Sequence, residues 1–203
     1  MKKPEPLVPM SLPDLTSAER EAVMSVLNTP NLSMGAEIQA FEQAIRQITG
    51  SQFAIGVNSG TAGLHLCVHA AQIAAGDLVI TTPFSFVAST NVLLFEQAIP
   101  VYVDVDPRTG NIDPVQVHQA AADLTQGGKA AERWLPRQRP DKFGKLKAIL
   151  PVDVFGQPAD MDPIQATAQE FGLKVIEDSC EALGAPYKGR SAGRLGDYGV
   201  FAF

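Results

Sequence analysis

Three stretches of this chain place residues with chemical potential where a strand should give way to a helix. The first, Asn58-Ser59-Gly60-Thr61-Ala62-Gly63, is expected to follow a strand over 53–57 and to open a helix. Backbone N–H groups freed at such a helix start, aided by the helix dipole and a threonine hydroxyl, suit a phosphate monoester. A structural turn with no ligand fits the same residues. Two familiar phosphate loops are excluded: there is no Gly-Lys-Ser/Thr and no Gly-x-Gly-x-x-Gly, and the next strand ends in Thr81-Thr82 where a dinucleotide fold needs an acid. The second stretch, Val175-Ile176-Glu177-Asp178-Ser179-Cys180-Glu181, ends an apolar strand in carboxylates. Ligands of open parallel sheets lie at the carboxyl ends of strands, so Asp178 could meet a bound small molecule or, equally, serve as a cap. Strand alternation sends Glu177 to the opposite face, as a hydrogen-bond partner for a helix. The third, Pro83-Phe84-Ser85-Phe86-Val87-Ala88-Ser89, offers two aromatic rings, destined either for the core or to lie flat on a planar ligand.

Other candidates carry less. His65 and His69 stand four apart on a helix, but residue 66 is Leu, so His-Glu-x-x-His is absent and packing or solvent exposure is expected. Cys67 reads as inert on an apolar helix side, and Cys180 as close to a ligand without being a nucleophile. No Gly-x-Ser-x-Gly is present, and three histidines leave little choice for a catalytic triad. Asp104, Asp106 and Asp113 look like a metal loop, yet Pro107 and Gly110 among them favour a polar turn.

The elements that must hold these residues alternate. Thr16 with Glu19 forms a capping box for a first helix, and Ile38, Phe41, Ile45 and Ile48 mark a second that ends at Gly50. Strands are expected over 53–57, 78–81, 100–105, 148–152, 174–177 and 198–203, with helices over 62–74, 87–96, 114–124 and 162–171. Unalternating apolar pairs such as Val79-Ile80 and Val175-Ile176 suit strands covered on both faces, which implies an α/β fold with a mostly parallel sheet and right-handed crossovers. Of 203 residues, 45% are hydrophobic and 19% charged, an ordinary globular balance. A net charge of -6 argues against a nucleic-acid partner. Nothing resembles a secretory signal or a membrane span, and two cysteines cannot build a disulfide framework, so a reducing cytoplasm is expected. Between Lys129 and Lys147 seven basic residues face two acidic ones, a local +5 that leaves -11 for the rest. With Gly127, Gly128, Pro136 and Pro140 inside it, this segment is expected to be a solvated insertion loop over about 125–147, with a site for an anion or partner subunit as the alternative.

A phosphate cradle, a flat ring and a carboxylate at three strand ends match a cofactor with a phosphate, an aromatic ring and a basic ring nitrogen. Pyridoxal 5'-phosphate has all three. The carboxylate would keep the pyridine nitrogen protonated, and the pyridinium is the electron sink for a carbanion. The ordered set Ser33-x-Gly35-x-x-Ile38-x-x-Phe41-Glu42, Asn58-Ser59-Gly60-Thr61-Ala62, Thr82-Pro83-Phe84-Ser85-Phe86-Val87-Ala88, 151–161 and 175–184 resembles the DegT-type sugar aminotransferases over nearly the whole chain.

The resemblance implies the large domain of a fold type I pyridoxal-phosphate transferase. It implies amino transfer from glutamate or glutamine to a nucleotide-linked keto sugar, and a homodimer whose sites draw on both subunits. Gly60, Thr61 and Ala62 match the family's phosphate turn, Phe86 the ring stacked on the pyridine and Asp178 the partner of its nitrogen. Glu181 stands where many members have His or Gln over the cofactor, Ala202 where many have a phosphate-binding Ser, and Asp153 where His is common. On the same resemblance, 1–50 is an N-terminal helical segment, 51–203 an incomplete cofactor-binding domain and the C-terminal small domain absent. The chain ends inside an apolar strand, and the catalytic lysine, absent here, is expected about four residues beyond Phe203, so that the chain alone would be inactive. Lys147 and Lys174 precede their strands, and Lys188 lies in a surface stretch, so none replaces it. Alternatives are a sugar dehydratase of the family, which carries His for that lysine, an aminotransferase for a non-sugar ketone, and an inactive scaffold protein.

Overall fold

A computed structural model describes residues 12–137 and 143–203. By internal contacts the chain divides into Met1–Phe41 and Glu42–Phe203. In the first unit, α1 (Ser17–Leu27) is opened by the Thr16–Glu19 capping box and buries none of its residues. Helix α2 (Ala36–Thr49) begins there and runs into the second unit, stopping at Gly50, whose φ of 71° a side chain would resist.

The second unit is built on a five-stranded parallel sheet. Its strands are β1 (Leu78–Thr81), β2 (Ile99–Tyr102), β3 (Leu146–Leu150), β4 (Lys174–Asp178) and, after the small hairpin pair β5 (Pro186–Tyr187) and β6 (Arg190–Ser191), β7 (Tyr198–Val200). The spatial order is β2-β1-β3-β4-β7. Successive side chains of a strand face opposite ways, and here the two faces feed two cores. Leu78 and Ile80 of β1, Ile149 of β3 and Val175 of β4 pack with α5 (Pro114–Gln126) and α7 (Met161–Phe171) through Val117, Ala121, Met161 and Ile164. Val79, Ala148, Leu150 and Ile176 pack on the other side with α3 (Gly60–Ala70) and α4 (Ala88–Phe95) through Leu64, Val68, Val92 and Leu93. Covering both faces explains the unalternating apolar runs.

Turn chemistry follows the sequence closely. Asp113 caps α5, its Oδ1 accepting from Val115 N at 2.9 Å, with Pro114 at the first helical position. Asp106 accepts from Arg108 N and pairs with its guanidinium at 2.8 Å, so Asp104, Asp106 and Asp113 serve a polar turn. The hairpin turn uses Lys188 and Gly189, both at positive φ, as the tight turn between right-twisted strands requires.

Two expectations change. Residues 53–57 form no strand among the described residues; Gly56 N donates to Glu42 Oε1 at 2.8 Å, and Ile55 is 80% exposed. Extended backbone becomes a strand only where a neighbour supplies a ladder. The segment over 125–147 is not all loop: α5 continues to Gln126 and a short helix α6 (Gly128–Glu132) follows. Within it Arg133 pairs with Asp123 at 2.6 Å and lies over the Trp134 ring, while 138–142 fall outside the described residues. No helix among the described residues is long and apolar enough to cross a membrane.

Candidate functional site

Helix α3 starts at Gly60, inside the stretch the sequence offered as either a phosphate turn or a structural one, and the residues over 53–57 before it form no strand. Ser59 is the N-cap, its hydroxyl accepting from Ala62 N at 3.1 Å while its carbonyl accepts from Gly63 N at 3.0 Å. The amides of Gly60 and Thr61 have no acceptor among the described residues, as the first turn of a helix leaves them. Two glycines let this turn approach the sheet. A Cβ on Gly60 would lie 3.0 Å from both Cys180 Sγ and Ala202 Cβ, and one on Gly63 would lie 2.9 Å from Val200 Cγ1. Ala202 thus flanks the turn with a methyl group, where a serine would bring a hydroxyl.

Asp178 ends β4 and is 5% exposed. Pleat parity aims it: with Ile176 it faces the α3–α4 side, and Glu177 faces the other. Its Oδ2 accepts from Ser89 Oγ of α4 at 2.7 Å, and its Oδ1 accepts from Cys180 N at 3.3 Å. A carboxylate offers about four lone-pair sites, so capacity remains for a third donor. Both cysteines feel this carboxylate. Burial, reinforced by the Asp178 charge, pushes the Cys67 thiol up to about 11, and the same two causes raise Cys180 further. Neither thiol ionises at neutral pH, so neither acts as a nucleophile.

Glu177 is fully buried, but its partners are backbone amides of a loop and not a helix. Its oxygens accept from Gly193 N at 2.7 Å, Leu195 N at 2.8 Å and Gly196 N at 3.1 Å, which fixes the turn leading into β7. Asp153, also fully buried, accepts from Ser179 Oγ at 2.6 Å and Ala159 N at 2.8 Å. Burial raises its carboxyl to about 7, against the pull of the Ser179 bond and with the nearby Glu177 charge adding to the rise.

The aromatic residues are not core. Phe86 is 79% exposed and Phe84 half-exposed, and Phe84 meets Phe155 edge-on at 6.0 Å. Phe155 holds a left-handed backbone (φ 54°), which costs about 1–2 kcal/mol. Two contacts hold that turn: Glu181 Oε2 accepts from Phe155 N at 2.7 Å, and Asn111 Oδ1 accepts from Val154 N at 3.0 Å. Glu181 is therefore engaged with backbone from the loop after β3.

Contacts link the predicted residues into one surface. A Cβ on Gly60 would meet Cys180 Sγ, Cys180 N donates to Asp178, Asp178 accepts from Ser89, and Ser89 Oγ lies 3.3 Å from the Phe86 carbonyl. Ser89 closed the third stretch without a role of its own and Asn111 was not singled out; a serine in the first turn of a helix and an asparagine in a turn carry no signal until the fold brings their partners. The lysines act elsewhere: Lys174 pairs with Asp197 at 2.6 Å and Lys188 with Asp162 at 2.6 Å. A cleft of about 330 Å³ lined by Gln165, Val175, Leu195 and Asp197 opens near the amino-terminal end of β4, remote from Asp178.

Residues 13–203 match the sequence model of the DegT/DnrJ/EryC1/StrS aminotransferase family. GDP-perosamine synthase of Caulobacter vibrioides is 37% identical over 98% of this chain and 48% of its own length. An aminotransferase from Psychrobacter cryohalolentis, of known structure, is 39% identical with a TM-score of 0.76 over 93% of this chain and 43% of that one. The PLP-form of Spr1654 from Streptococcus pneumoniae aligns with a TM-score of 0.77 at 25% identity, over 94% of this chain and 47% of that one. The chain thus spans just under half the length of the relatives it matches.

Proposed function

The chain belongs to the DegT/DnrJ/EryC1/StrS aminotransferase family, and from that premise we propose that it forms one wall of the pyridoxal-phosphate pocket of an enzyme that aminates a nucleotide-linked keto sugar, with glutamate or glutamine as donor. The name of GDP-perosamine synthase supports the sugar as acceptor. One observation supports the reading: the Gly60 turn, where an added Cβ would meet Cys180, and the Phe86 backbone carbonyl, which Ser89 Oγ approaches at 3.3 Å, both border the buried Asp178 carboxylate.

Those residues fit the cofactor. The unpaired amides of Gly60 and Thr61 suit a phosphate, which the α3 dipole favours further. The exposed face of Phe86 suits a flat heterocycle, and Asp178, buried with lone pairs to spare, suits a cationic N–H partner. When bound, pyridoxal phosphate supplies an electron-withdrawing ring for chemistry at the amino-bearing carbon. Asp178 holds the proton on the ring nitrogen, Ser89 holds Asp178, and Glu181 fixes the 154–156 turn at the rim. The reading places the catalytic lysine and the rest of the sugar site in sequence beyond these residues, in a homodimer.

The test is Asp178→Asn in the full-length protein, with a nucleotide-linked keto sugar and glutamate. Removing the charge should lower turnover by about two orders of magnitude or more while the thermal midpoint holds. Turnover that survives the change sinks the assignment.

A further inference from the structure

His65 and His69, one turn apart on α3, meet Glu96 at the end of α4. Nε2 of His65 lies 2.7 Å from Glu96 Oε1 and Nε2 of His69 lies 3.1 Å from the same oxygen. The two imidazole rings stand 4.7 Å apart, and one donor atom from each of the three residues falls within 4.8 Å of the other two. We propose that His65, His69 and Glu96 bind a divalent transition-metal ion of the zinc class, at a site apart from the cofactor pocket. The site joins α3 to the carboxyl end of α4.

The donor set decides the class of ion. Two imidazoles and one carboxylate form one of the tripod sets that zinc accepts with water in the fourth position, whereas magnesium and calcium prefer oxygen alone. The geometry is close to ready. Bonds of about 2.0–2.1 Å in a tetrahedron put donors about 3.3 Å apart, so the two N···O separations need open by less than about 1 Å. Residues four apart on a helix project to one side, so α3 itself aligns the imidazoles. The Phe95 ring, edge-on to His65 at 5.4 Å, limits rotation of that side chain, and the Glu96 backbone N–H donates to Leu93 O. Side-chain exposures of 32%, 54% and 24% leave a path for the ion and its water. His69 lies eight residues beyond Thr61, about 12 Å along the helix axis, which separates the ion from the phosphate turn.

The experiment is calorimetric titration of ZnCl2 into tag-free full-length protein, as purified with its cofactor and then treated with chelator. One equivalent should bind saturably and raise the thermal midpoint, and MgCl2 should give neither effect. His65→Ala, His69→Ala and Glu96→Gln should each weaken binding by about tenfold or more. His118→Ala, which removes the third histidine of these 203 residues, should leave the isotherm unchanged. Far-UV circular dichroism checks that each variant is folded. Absence of saturable zinc binding, or an unaltered isotherm in the His65→Ala/His69→Ala double variant, overturns the proposal.

Discussion

Ser89 shows how a residue without a sequence signal comes to matter. Its hydroxyl donates to Asp178 at 2.7 Å, out of water. A hydrogen bond to a charged group contributes about 1.5–3 kcal/mol, so Ser89→Ala should cut turnover of the full-length enzyme by about tenfold or more. Acting through Asp178, it should also shift the cofactor's visible absorption band, which responds to the state of the ring nitrogen; an unchanged spectrum would reduce Ser89 to a packing residue. Asp153 makes a second prediction, on stability. Its carboxyl is raised from 3.8 to about 7 by burial first, so between those values the folded chain keeps a proton that the unfolded chain has lost. Stability should therefore be full below about pH 4 as far as this group is concerned, and decline as pH rises toward 7. Asp153→Asn, which still accepts from Ala159 N, should flatten that decline in thermal unfolding followed from pH 5 to 8. A parallel slope in both proteins would show that Asp153 is ionised throughout.

Among elements, the packing of α3 on β7 sets the position of the turn at Gly60. Gly63 in mid-helix forgoes about 1 kcal/mol of helix propensity relative to alanine. The close approach to Val200 explains why: a Cβ there would meet Val200 Cγ1 at 2.9 Å, and β-branched valine has little freedom to turn away. Overpacking costs about 1–3 kcal/mol, so Gly63→Ala should destabilise by about 1 kcal/mol net, a fall of about 2–4 °C. A midpoint that rises instead would show that β7 yields. Elements of this kind were readable from sequence where local chemistry decides them. The 78–81 strand, the Thr16 capping box and the end of α2 at Gly50 all fall where the residues place them. What stayed hidden depends on partners distant in sequence. Glu96 reaches His65 across 31 residues and Ser89 reaches Asp178 across 89, and no spacing rule spans such gaps. Residues 53–57 failed for the same reason, since β pattern specifies a wish to pair and not the partner.

At the scale of the whole molecule, that unpaired segment has a cost. Phe53 and Ile55 are exposed on a segment that forms no strand among the described residues, an apolar surface that invites association with another chain. Burying one isoleucine is worth about 1.5–3 kcal/mol, so Ile55→Lys should weaken self-association of this chain by about tenfold or more, measured by light scattering against concentration. Equal scattering from both proteins would place the sticky surface elsewhere. Two of the motif-bearing stretches were legible because a parallel sheet collects its strand ends on one rim: Asp178 ends β4 and Phe86 lies five residues past the end of β1. The opposed facing of Ile176 and Asp178 against Glu177 carries one more consequence. Loss of a single codon within 174–177 would leave every functional side chain in the gene yet turn the terminal acid toward the wrong helices, whereas a paired loss would restore its direction and shorten its reach. Chemical identity at position 178 is thus hostage to an even-or-odd count made several residues upstream.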